Sequence, residues 1–274
     1  MLPSAVRKLS YNPVARTIAQ RLHAGALARS IYCRLLSRDG VLHFSCLGVS
    51  GTIRTHGTSQ LAFVDCVVTR EKDVIEETLR HLGPGDTFVD VGSHYGVYSV
   101  LASKIVGPSG RVVAVEPHPE TFRICCDTVA LNQCRNVEIL NVAFTNETGE
   151  LSMSFNENGS HRQRPSDSPS SVHLVPAMIG DEALEAYGTP AAIKVDVEGH
   201  EFAVLSGLRR VLSDQACRLL CVEIHPDVLP HGVTSDLIFN MITEFGFNRI
   251  RQMPRSSMAN LTAGSKEILA IATR

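Results

Sequence analysis

Two hydrophobic rhythms organise this chain. From Thr87 onward, short unbroken apolar runs alternate with segments whose apolar residues recur every three to four positions. The runs TFVDV (87–91), RVVAVEP (111–117), VEILNVAF (137–144), AAIKVDV (191–197) and CRLLCVEI (217–224) read as strands buried on both faces. Helical spacing fills the gaps: a helix through Ile105, PETFRICCDTVALN (119–132), HEFAVLSGLRRVL (200–212) and SDLIFNMITEFG (235–246). The second of these opens on a proline, which suits a first helical turn. FNRIRQ (247–252) and EILAIAT (267–273) read as closing strands. Such alternation predicts an α/β fold: a parallel sheet between helical layers, with right-handed crossovers.

Upstream, EKDVIEETLRHL (71–82) has helical spacing at Val74, Ile75, Leu79 and Leu82, and GPGD ends it with turn chemistry. VLHFSCLGVSGTIRT (41–55) alternates and is broken by Gly48 and Gly51, which predicts a hairpin or two short strands. The expected division is therefore a helical segment plus short strands over 1–70 and the main domain over 71–274. One stretch, NENGSHRQRPSDSPSS (156–171), holds no large apolar residue. It reads either as a disordered excursion or as a lid over a substrate.

Charge alters this picture at one place. Residues 1–38 carry seven basic residues and no acid, with Ile18, Leu22, Ile31 and Leu35 among them. A basic amphipathic helix on an anionic membrane surface is one reading. A helix packed on the main domain, its arginines in water, is the simpler one. The whole chain has a formal net charge of -2, which argues against a dedicated nucleic-acid binder. No apolar run is long enough for a membrane-spanning helix. The eight cysteines include no CxxC pair; Cys125, Cys126 and Cys134 lie in or near a helix pattern, and Cys217 and Cys221 in a strand pattern. They read as small apolar thiols in a reducing cytosol rather than as a disulfide framework or zinc site.

In open parallel sheets, ligands bind beyond the carboxyl ends of the strands, so the first strand-helix turn is the place to look. That turn is DVGSHYG, 90–96. A dinucleotide fingerprint needs G-x-G-x-x-G, but the positions of its second and third glycines are His94 and Val97. The spacing here is Asp90, Gly92, Gly96. Both glycines would let backbone pass close to a ligand. The acid would repel a pyrophosphate and attract a cation or an amino group. Glu116 ends the next strand, 20 residues after Gly96, where a carboxylate can accept both hydroxyls of a ribose. A ribose diol with an ammonium and no phosphate describes S-adenosylmethionine.

FVDVGSHYGVYS, VVAVEPHPETF, LNVAFTNETGE and above all IKVDVEGHEFAVLSG resemble the motifs of the FkbM family of S-adenosylmethionine-dependent methyltransferases, in the family's order, over about residues 70–274. The resemblance implies a Rossmann-like seven-stranded methyltransferase sheet, mostly parallel with the last strand antiparallel and helices on both faces. It also implies O-methylation of a hydroxyl on a sugar, glycolipid or secondary metabolite. The first two motifs supply a candidate cofactor set of Asp90, Gly92, Ser93, His94, Gly96, Tyr98, Ser99, Glu116 and Pro117. Asn141 and Ala143, at the end of the third strand, are the candidates for adenine. The chain departs from the family in having Ser93-His94 where Ala-Asn is usual.

Methyl transfer to an alcohol needs alignment of oxygen, methyl and sulfur, and a base for the hydroxyl proton. KVDVEGHE brings Asp196, Glu198, His200 and Glu201 to one strand end, and VEIHPD brings Glu223 and His225 to the next. Carboxylates that close raise one another's pKa unless Lys194, a proton or a metal compensates. Three readings are open. Asp196 or a histidine is the general base, which is preferred; Asp196, Glu223 and His225 hold a divalent cation; or Glu198 and Glu201 merely cap the following helix. A nicotinamide-dependent oxidoreductase and a non-catalytic cofactor-binding scaffold are the competing functions.

Overall fold

The computed structural model describes residues 41–54, 64, 67, 71–155, 171–253 and 267–274. The basic segment 1–38 and all but the last residue of 156–171 lie outside the described residues.

β1 (Val41–Cys46) and β2 (Val49–Arg54) form an antiparallel hairpin. Then come α1 (Lys72–Leu79), β3 (Thr87–Val91), α2 (Val97–Val106), β4 (Arg111–Val115), α3 (Pro119–Leu131) and β5 (Val137–Leu140). β6 (Ala143–Thr145), β7 (Gly149–Phe155) and β8 (Ser171–Ile179) lead to a short helix, α4 (Gly180–Ala183). β9 (Ala192–Asp196), α5 (Glu201–Gly207), α6 (Arg209–Ser213), β10 (Leu219–Ile224), α7 (Ser235–Glu244), β11 (Arg249–Met253) and β12 (Ile268–Thr273) complete the chain.

The main sheet has seven strands in the order β11-β12-β10-β9-β3-β4-β5. β12 runs antiparallel to both its neighbours, while β10, β9, β3, β4 and β5 pair in parallel. The sheet is the expected Rossmann-like one. Its unbroken apolar runs have a direct cause: neighbours along each strand enter opposite cores. Phe88, Val112, Ala192 and Leu219 join the core under α2 and the hairpin. Val89, Val113, Ile193 and Leu220 join the core under α5 and α7. Both faces are covered, so neither position of the pleat is polar.

Two elements depart from the sequence reading. VEILNVAF is not one strand. It leaves the main sheet after Leu140 and re-enters as β6 in a second, three-stranded sheet of order β6-β8-β7. β7 and β8 flank the polar stretch 156–170, and only alternate positions such as Met153, Val175 and Ala177 are buried. HEFAVLSGLRRVL divides into α5 and α6 at Leu208. The packing behind that break is tight, because a Cβ on Gly207 would overlap the carbonyl oxygen of Thr145.

β3 pairs with β4 on one side and β9 on the other. The chain runs from β3 outward to β4 and β5, then returns to β9 on the opposite flank. The crevice at that reversal lies beyond the carboxyl ends of β3, β4 and β9.

Candidate active site

The turn after β3 is built by contacts within the protein. Gly92 has φ +77, and a Cβ there would overlap the main-chain carbonyl oxygen of Asp196. Gly96 has φ +80, and a Cβ would stand 2.9 Å from Cys125 Sγ. The two glycines are demanded by left-handed backbone and by close approach of β9 and α3. His94 also has positive φ, +50. Its backbone N–H donates to Glu116 Oε2 at 2.8 Å.

Glu116 sits at the end of β4 and is buried. Its other oxygen, Oε1, accepts the His118 N–H at 2.9 Å and the Thr121 hydroxyl at 2.8 Å. Burial pushes its pKa up to about 7, against the pull of these hydrogen bonds. His118 N-caps α3, its Nδ1 accepting the Thr121 N–H at 3.3 Å. Asn141 donates its amide to the carbonyl oxygens of Glu116 and Pro117 at 2.8 and 3.1 Å.

On the far side of β3, Lys194 ties the motifs together. Its ammonium donates to the Gly92 carbonyl at 3.0 Å and stands 3.5 Å from Asp90 Oδ1 and 3.6 Å from Asp196 Oδ2. Tyr98 places its ring 5.2 Å from the same ammonium. Burial works against that charge, but Asp196 and Asp90 outweigh it and hold the pKa above its ordinary value.

Asp196 and Glu223 are register partners on adjacent parallel strands, so two like charges lie side by side. Burial and Glu223 push the Asp196 carboxyl up to about 6. His225 follows β10 and is 2% exposed. Its Nδ1 lies 2.7 Å from Glu201 Oε1, which also accepts the Gly199 N–H at 2.8 Å. Its Nε2 lies 3.2 Å from Glu223 Oε1 and 3.5 Å from Glu198 Oε2. Burial opposes protonation here, but Glu201 and Glu223 prevail and lift the imidazole to about 11. Glu198 adopts φ +52, a strained position for a side-chain-bearing residue.

A cleft of about 760 Å3, its open mouth included, joins these groups. Gly92, His94, Glu116, Pro117 and Ala143 line it from the cofactor set, and Asp196 and His200 from the catalytic set. The remaining candidates lie behind this wall. Asp90 is fully buried, with Oδ2 accepting the Ser99 hydroxyl at 2.6 Å, so its carboxylate faces Lys194 instead of the cleft. Ser93, Tyr98 and Ser99 are buried in the turn's own packing, and Gly96 starts α2. Asn141 fixes the Glu116 loop. Glu223 and His225 stand behind Asp196 and Glu198. Neither Glu198 nor Glu201 caps α5 in the ordinary way: the N-cap is His200, without a side-chain cap bond.

Sequence reasoning missed the apolar wall. Val142, Phe144, Leu151, Met153 and Val197 give the cleft its hydrophobic face, Phe144 from β6 of the second sheet and Leu151 and Met153 from its β7. Their alternation in GELSMSF was the available signal.

A family model described as "Methyltransferase FkbM domain" matches residues 90–252, the span that builds this whole site. The chain belongs to the FkbM methyltransferase family. FkbM proteins are S-adenosylmethionine-dependent methyltransferases, and the oxidoreductase alternative falls with that match. Among curated proteins, hexuronic acid methyltransferase AglP of Haloferax volcanii is 33% identical over 172 residues, 60% of this chain and 66% of that protein. Arsenite methyltransferase of Halobacterium salinarum is 40% identical over 57 residues, 21% of this chain and 15% of that protein. The chain thus spans less than two thirds of the length of either relative. Among solved structures, Aeropyrum pernix fibrillarin with natively bound S-adenosylmethionine matches at a TM-score of 0.45 and 14% identity, covering 77% of this chain and 74% of that one.

Among the described residues, no helix is long and apolar enough to cross a membrane. The cysteines there are free, and five of the six are buried.

Proposed function

We propose that this protein transfers the methyl group of S-adenosylmethionine to a hydroxyl oxygen of a saccharide. The observation that carries this is the cleft itself. It is lined by Glu116, by Asp196 and Glu198, and by an apolar wall. Glu116 is placed to accept ribose hydroxyls, with His94 and His118 N–H groups holding its carboxylate in place. The apolar wall around Ala143, Phe144 and Met153 suits adenine.

The acidic rim sets the acceptor. Sugar hydroxyl groups can donate hydrogen bonds to the carboxylates of Asp196 and Glu198. AglP carries a saccharide substrate class in its name, which supports a sugar here. The acceptor oxygen attacks the sulfonium methyl carbon. The C–S bond breaks with both electrons going to sulfur, leaving a thioether, and the hydroxyl proton passes to a carboxylate. Asp196 is the carboxylate at the strand end that lines the cleft and so is the base assigned. His225, almost fully buried among carboxylates, is a poorer candidate than its position in the sequence suggests.

The test is mass spectrometry of neutral and acidic sugars, free and lipid-linked, after incubation with labelled S-adenosylmethionine. Label on a hydroxyl oxygen supports the reading, and label only on a carboxyl oxygen replaces it with ester formation.

A further inference from the structure

The acidic rim contains a feature that base catalysis does not use. His225 Nε2 is buried and makes no hydrogen bond, although Glu223 and Glu198 carboxylate oxygens lie 3.2 and 3.5 Å from it. The other ring nitrogen is fixed by Glu201, itself fully buried. An imidazole held at Nδ1 by a carboxylate and pointing Nε2 into a group of oxygens is the arrangement by which proteins orient a histidine toward a metal, and the ion would take the place of the imidazolium proton on Nε2. Ligand atoms of Asp196, Glu198 and His225 lie within 4.8 Å of one another. Asp196 and Glu198 line the cleft, so an ion among them would face an acceptor. A second grouping, Glu223, His225 and Glu267, shares the same nitrogen, but none of its members lines the cleft.

We propose that Asp196, Glu198 and Nε2 of His225 form a site for a divalent cation on the acceptor side of the cleft, Asp196 binding the ion through one carboxylate oxygen and keeping the other for the hydroxyl proton. Mostly carboxylate ligands with one imidazole select an oxygen-preferring ion, for which Mn2+ is the probe. The site would explain why so many carboxylates share one strand end, and why Glu198 holds a strained backbone that aims it at His225. The ion's remaining positions would take two adjacent sugar oxygens. This rests on the cleft being the methyl-transfer site, but its test stands apart from that reading.

The test is titration of Mn2+ into the full chain, followed by the electron paramagnetic resonance of the free ion, with pulsed measurement of nitrogen coupling on the bound ion. One ion per chain with a single imidazole nitrogen coupling is expected. Glu198→Gln, at a partly exposed residue, should weaken binding about tenfold or more, and His225→Gln should remove the nitrogen coupling. Should His225→Gln fail to fold, the wild-type coupling and Glu198→Gln decide. Absence of saturable binding, or binding unchanged in Glu198→Gln and free of nitrogen coupling, overturns the proposal and leaves an imidazolium as the neutralising charge. S-adenosylhomocysteine is titrated in parallel with and without EDTA. Its binding without any Mn2+ binding overturns the cation site alone, and Mn2+ binding without it sinks the methyltransferase reading while the cation site stands.

Discussion

The ammonium of Lys194 donates to the carbonyl oxygen of Gly92 at 3.0 Å, joining residues 102 positions apart. Through that contact the glycine turn after β3 and the acidic end of β9 become one structure, because the same ammonium stands between Asp90 and Asp196. Lys194→Met should therefore leave two carboxylates without their cation. Breaking a buried ion pair from one side costs about 3–5 kcal/mol, and partial exposure of Asp196 pulls the expectation to the lower end. Urea denaturation should show that loss. A change below about 1 kcal/mol would mean the contact is incidental.

Gly92 and Gly48 make a matched pair. Both have left-handed backbone, φ +77 and +79, but a Cβ at Gly48 meets nothing within 4 Å, whereas at Gly92 it overlaps the Asp196 carbonyl. Gly48→Ala should cost about 1 kcal/mol, the backbone term alone. Gly92→Ala should cost clearly more and abolish cofactor binding. Equal denaturation midpoints for the two variants would contradict the assignment of Gly92 to β9 packing.

The sheet was legible in the sequence because burial on both faces leaves an unbroken apolar run, as in RVVAV and LLCVEI. The second sheet was not, because β7 and β8 bury only one face and their alternation is diluted by polar and small residues. Within the site, strand-end position located Glu116 and Asp196 on the cleft, yet it also suggested Asp90. Position along a strand does not reveal which way a carboxylate faces, and Asp90 faces Lys194. Likewise the partner of His225 Nδ1 is Glu201, 24 residues distant, a contact without local signature.

With Glu116 as the proposed ribose acceptor, cofactor binding should depend on pH. Its carboxyl is raised from 4.5 to about 7 by burial, so it is protonated below that pH and ionised above it. Ribose hydroxyls donate better to the ionised form. Affinity for S-adenosylhomocysteine should accordingly rise from pH 6 to pH 8 with a midpoint near 7, and Glu116→Gln should flatten the profile. A wild-type affinity that falls over this interval would reverse the sign and exclude Glu116 as the ribose acceptor.

Asp196→Asn separates chemistry from cofactor binding. In the proposed reaction the side chain takes the acceptor's proton, so turnover should fall about 10²–10⁴-fold. Affinity for S-adenosylhomocysteine should stay within about threefold, less than 1 kcal/mol. Single-turnover kinetics alongside equilibrium binding checks both. Loss of cofactor affinity with turnover of the bound fraction intact would move Asp196 to the cofactor side.

The central claim is that the Glu116 cradle binds S-adenosylmethionine. Calorimetric titration of S-adenosylhomocysteine into wild type and Glu116→Ala tests it most directly. One site per chain is predicted, weakened on the order of tenfold or more in the variant, the loss of hydrogen bonds worth about 1.5–3 kcal/mol. No binding to the wild type, or equal binding to both proteins, would contradict it.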